Sequence, residues 1–129
     1  MTDRELMEGF EAGTLGDEFG HQEHVRVVWL HLQSHDALAT LARVRKGLRR
    51  LAAGHGRPEL YHETLTWGWV LLIAQRVRES PELGWKDFRA AHPDLLDRSS
   101  PALAAYYSAE LLASPTARSG FVLPDRVPS

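Results

Sequence analysis

Apolar residues along this chain recur at steps of three and four, the spacing that lays them on one side of a helix. Residues 2–10 fit a short leading helix, and Gly13, Gly16 and Gly20 punctuate the link that follows. A first main helix is expected over about 20–34, ending near Ser34-His35-Asp36. A second covers about 36–53, with Leu38, Leu41, Val44, Leu48 and Leu51 on one stripe. The AGHG at 53–56 stops it, because glycine is favoured just beyond a helix C-terminus. Pro58 suits the first turn of a third helix, which continues through LYHETLTWGWVLLIAQRVRE to Ser80-Pro81. A shorter helix is expected over about 83–91, ending before His92-Pro93; Ser100-Pro101 opens another and Ser108 caps one more. The tail FVLPDRVPS reads as extended, with Phe121 and Leu123 docked on the body. No alternating run is bracketed by turn residues, so strands are not expected. The pattern predicts one all-α domain: a leading segment 1–18, a three-helix core 19–80, then short helices and a docked tail over 81–129. Connections this short make neighbouring helices antiparallel.

Composition narrows the chemistry. A chain of 129 residues can bury a core without staples. Its formal net charge of -2 exerts no global pull towards nucleic acid or membranes. The absence of cysteine excludes disulfides and thiolates, so any metal would sit on histidine and carboxylate. MTDRELMEGF lacks the apolar stretch of a signal peptide, and VLLIA at 70–74 is too short to span a bilayer. A cytoplasmic location is the expectation. Arginine greatly outnumbers lysine, which suggests a GC-rich bacterial genome.

Four histidines fall within FGHQEHVRVVWLHLQSH, residues 19–35, and their faces matter more than their number. At about 100° per residue, Gln22, Arg26, Gln33 and Asp36 mark the wet face, which Trp29 shares. The opposite side carries Val27, His31, His24, His35, Val28 and His21. His21 and His24, one turn apart, could direct two rings at one ion. On the third helix Thr64, Leu71, Gln75 and Arg78 define the polar side, while His62 and Glu63 head apolar stripes. A buried carboxylate there must be paired or coordinate a metal. An up-down-up topology brings the starts of the first and third helices to the same end.

His21, His24 and His62 are therefore candidate metal ligands, with Glu63 as a fourth ligand or a general base and Tyr61 hydrogen-bonded into the site. Imidazole and carboxylate suit Zn, Fe, Mn, Ni or Cu as divalent ions and do not choose among them. The bland alternative for H-x-x-H is one capping ring and one solvated ring. His55 reads as a helix-terminus histidine, His31 as buried and hydrogen-bonded, and His35 and His92 as solvent-facing. Trp67, Trp69 and Trp85 read as core, or as walls of an apolar pocket. RVRKGLRR at 43–50 is most simply a solvated face, otherwise a dock for an acidic partner or an anionic ligand.

F-x-H-x-x-H-x-R-x-x-W at 19–29, Y-H-E-T at 61–64, P-D-L-L at 93–96 and F-V-L-P-D at 121–125 together resemble a family of short bacterial all-helical proteins of unassigned function. That resemblance implies that His21, His24, His62 and Glu63 belong to a shared pattern, and it carries no activity with it. The leading expectation is a small metal-dependent enzyme acting on a small-molecule substrate. The alternative is a non-catalytic binding module that uses the basic helix face. A homodimer or an acidic protein partner stays open under both; nucleic acid is disfavoured by the charge balance.

Overall fold

Side chains at the helix starts fix most of the boundaries. Thr2 accepts from the Glu5 N–H and opens α1 (Asp3–Ala12), while the Glu5 carboxylate returns to the Thr2 N–H. Before α2 (His21–Leu32) stands Gly20, whose N–H is taken by the Glu23 carboxylate at 2.9 Å. Asp36 caps α3 (Ala37–Gly54) by accepting from the Ala39 N–H. His62 caps α4 (Glu63–Glu79) through its ring, Nδ1 accepting from the Leu65 N–H at 3.1 Å. After α5 (Trp85–Ala91), Ser108 and Ser114 cap the short α6 (Ala109–Leu112) and α7 (Pro115–Ser119). The computed structural model describes residues 1–98 and 101–127, all helix, turn and extended link, with no strand among them.

Helices α2, α3 and α4 pack on one another, α1 lies across α2 and α3, and α7 lies on α4. Val25, Val27, Val28, Val44, Val70 and Ile73 close the centre, each at most 1% exposed. Among the described residues no helix is long and apolar enough to cross a membrane.

Four expectations about the main helices need correction. The third main helix begins at Glu63, not Pro58: Pro58–Leu60 is a separate 3-10 turn, and Tyr61 and His62 are extended. The His62 ring supplies the cap, so the helix cannot start earlier. Leu38 is 77% exposed, because the inward stripe of α3 is Thr40, Leu41, Val44, Gly47 and Leu51. Gly47 takes the central place: a Cβ there would lie 2.2 Å from the Phe10 ring, so α1 sits directly on the α3 backbone. Thr64 is buried, not on a wet face; its hydroxyl donates to the Gly120 carbonyl and accepts from the Val122 N–H, where the tail crosses. Trp29, placed with the polar residues, is covered by Trp85 and Phe88.

The tail docks through Phe121, which stacks on Trp67 at 4.6 Å, while Leu123 stays 77% exposed. Pro101 is extended and leads into a 3-10 turn at Ala102–Ala105; Ser100, expected to open a helix with it, lies outside the described residues.

Candidate functional site

The start of α4 is a set of closed pairings. His62 Nε2 lies 2.7 Å from the Leu112 carbonyl oxygen, which can only accept, so Nε2 carries the proton. With Nδ1 accepting from Leu65, both ring nitrogens are engaged. Glu63 is 8% exposed and takes Arg45 Nε on both oxygens, at 2.8 and 3.0 Å, with the Tyr61 hydroxyl donating to Oε1 at 2.5 Å. Burial acts to raise the Glu63 carboxyl, but the Arg45 and Tyr61 hydrogen bonds outweigh it and hold it below the usual range. Burial, then the donation to Glu63, pushes the Tyr61 phenol up to about 12. Arg49 lies over the Tyr61 ring at 5.3 Å. Tyr61, Glu63 and Arg45 thus clamp α3 to the start of α4.

His21 and His24 do meet, edge to face, with ring centroids 6.4 Å apart. His21 Nε2 donates to the Leu95 carbonyl at 2.8 Å, which leaves Nδ1 as the nitrogen with a lone pair in the neutral ring. His24 leans on Phe19, and its Nε2 is buried without a hydrogen-bond partner. Burial, then the neighbouring His21, lowers the His24 imidazole to about 4.

His62 is therefore not delivered to this pair. Both its nitrogens and both Glu63 oxygens are occupied by protein groups, and among the described residues no three His, Asp or Glu side chains converge to hold a metal. As placed, the donors do not fit a shared transition-metal ion.

The remaining histidines also serve the fold. His55 closes α3 and reaches the Leu15 carbonyl at 3.0 Å, instead of joining His21. His31 is buried and donates from Nδ1 to Val27, as expected. His35 and His92 are half-buried, not solvent-facing: His35 Nδ1 reaches the His31 carbonyl, and His92 packs on Phe88 and accepts from Arg76.

Beside His21 lies a cavity of about 490 Å³, within the usual size range of small-ligand pockets. Leu65, Trp69, Leu103 and Leu112 form its apolar walls, and the His21 ring stands edge-on to Trp69 at 4.8 Å. Arg98 and Arg126 bring guanidinium groups, and Asp97 also borders the space. Tyr107 completes the wall and donates its hydroxyl to Val122 at 2.7 Å. Sequence reasoning allowed Trp69 as a pocket wall but did not find the other partners, which come from segments spread over residues 65–126. The signal lay in F-V-L-P-D: Asp125 accepts from both the N–H and the hydroxyl of Ser108, fixing the chain where Arg126 begins. Compared with family models, curated proteins and solved structures, the chain has no significant match.

Proposed function

We propose that this chain is an enzyme that binds a small organic acid in the cavity beside His21 and uses that ring for proton transfer. The observation that supports it is the His21 tautomer: Nε2 is tied to the Leu95 carbonyl, so Nδ1 is the basic nitrogen, and the ring borders a ligand-sized cavity. Apolar walls suit the hydrocarbon body of a substrate, and Arg98 with Arg126 favours one carrying a carboxylate. The Leu95 carbonyl holds the ring in orientation and stabilises the imidazolium formed when Nδ1 takes a proton. Such a base contributes about 10²–10⁴-fold to rate. His62 and Glu63 act at one remove, by holding α4 and Leu112 in place.

The test is a titration of the ¹⁵N-tryptophan-labelled chain with phenylacetate and 4-methylpentanoate. The Trp69 indole signal is expected to move, with affinity about tenfold lower in Arg126→Gln and unchanged by a chelator. Silence of Trp69 towards both acids sinks the reading. Once a substrate is in hand, His21→Gln keeps an amide donor for Leu95 and removes the base. Turnover should then fall about 10²–10⁴-fold with binding retained. Equal turnover would reduce His21 to a structural tie.

A further inference from the structure

A second recess lies between α1 and α3 and shares no lining residue with the His21 cavity. Its volume is about 630 Å³, and its floor is Phe10 and His31, which are 1% and 2% exposed. Arg43, Lys46 and Arg50 line it from α3. Steps of three and four put these cations on one face, spread over about 10 Å of helix axis. None of the three forms an ion pair among the described residues. Arg50 donates to the Glu11 backbone carbonyl, and Glu11 is the lone carboxylate bordering the recess. Three cations against one carboxylate leave a local excess of two positive charges, although the whole chain is formally -2. That excess matches a dianion.

We infer that this recess binds a small phosphate-bearing molecule, at a site separate from the cavity beside His21. The span of the cations fits one or two phosphates better than a polymer backbone, which would need a longer basic track. Gly47 lets Phe10 lie directly against α3, so the floor is a close contact of ring on helix backbone. His31 donates its Nδ1–H to the Val27 carbonyl at 2.9 Å, so in the neutral ring Nε2 is left to accept from a ligand hydroxyl or a protonated phosphate oxygen. Arginine and lysine together supply the forked and point donors typical of phosphate recognition.

The full chain, with histidine ¹⁵N-labelled, is titrated with inorganic pyrophosphate at low ionic strength. Saturable binding is expected, with the His31 ring nitrogens shifting and those of His21 still. Arg43 and Lys46 are exposed, so the double variant Arg43→Gln with Lys46→Gln should keep its urea midpoint. Its affinity should fall at least about tenfold. Absence of saturation, equal affinity in the double variant, or a response at His21 instead of His31 would overturn the inference. So would tighter binding of polyglutamate or of a duplex oligonucleotide than of pyrophosphate, since the face would then be a dock for an acidic polymer.

Discussion

Five of the seven histidines, His21, His31, His35, His55 and His62, give a ring N–H to a backbone carbonyl. Three of these bonds join segments 40 or more residues apart, so imidazole here is chiefly a tie between a helix and a distant link. His24 and His92 are the exceptions, each with a buried Nε2 that lacks a partner, and His24 sets a pH limit on the fold. Burial first, and His21 second, lowers its imidazole to about 4, whereas an unfolded chain holds histidine near about 6.5. A group depressed on folding supports the folded state fully above its unfolded value. That support is lost as pH falls from about 6.5 towards about 4. His31, lowered chiefly by its own burial, acts in the same direction. The variant His24→Leu should therefore show a flatter urea midpoint over that window, where the native chain loses at most about 1.4 kcal/mol per pH unit from this residue. Identical slopes would mean that His24 reaches water in the folded state. The sequence shows that His24, His31 and His62 face inward, and it misreads His35 and His92 as solvent-facing. The distant carbonyls that the histidine rings meet, those of Leu15, Leu95 and Leu112, lie in the link before α2, a 3-10 turn and the short α6, none of which has a long periodic signature.

At the scale of the element, α3 shows how a helix can be read correctly in extent and, Leu38 aside, in face, while its closest contact is missed. Its leucine stripe suggested a seam through Leu38 and Leu48, yet the closest approach runs through Gly47, where Phe10 meets the backbone. Glycine within a helix normally costs about 1 kcal/mol relative to alanine, and Gly47→Ala would recover that only if space allowed. A Cβ 2.2 Å from the Phe10 ring forces α1 away, so a net loss of about 1–3 kcal/mol is expected. Gly54, in the last turn of the same helix, is the control: its Cβ would meet only the Gly13 carbonyl at 3.8 Å, and Gly54→Ala should gain up to about 1 kcal/mol. Thermal melts of the two variants should move in opposite directions; a stabilised Gly47→Ala chain would show that α1 is loosely held. Periodicity located α2, α3 and α4 because each is long. It misplaced the start of α4 because a histidine cap is a rarer signal than Pro58, and it put Thr64 on the wet face because the tail that covers it lies nearly sixty residues away.

Across the whole molecule, the C-terminal segment closes the bundle and finishes the cavity. Phe121 stacks on Trp67, Val122 exchanges bonds with Thr64 and Tyr107, and the Arg126 N–H and guanidinium reach the Tyr106 and Ala104 carbonyls. Asp125 fixes the turn between them, accepting from the Ser108 N–H at 2.8 Å and its hydroxyl at 2.6 Å. Those hydrogen bonds hold its carboxyl below the usual range. Asp125 does not line the cavity beside His21, but the next residue does, so Asp125 positions Arg126 without itself meeting a ligand. Asp125→Ala should release Arg126 and weaken phenylacetate binding by about tenfold, with little change in melting temperature because the site is exposed. Asp125→Asn keeps an oxygen to accept from the Ser108 N–H and should restore much of the affinity. Pyrophosphate binding between α1 and α3 should be untouched in both variants, because no tail residue lines that recess and it shares no lining residue with the cavity beside His21. A purely structural role would move the melting temperature, or both ligands together. A loss confined to the organic acid, rescued by asparagine, would mark the tail as part of the His21 site; unchanged acid binding in Asp125→Ala would show that Arg126 is placed by its bonds to Ala104 and Tyr106 alone.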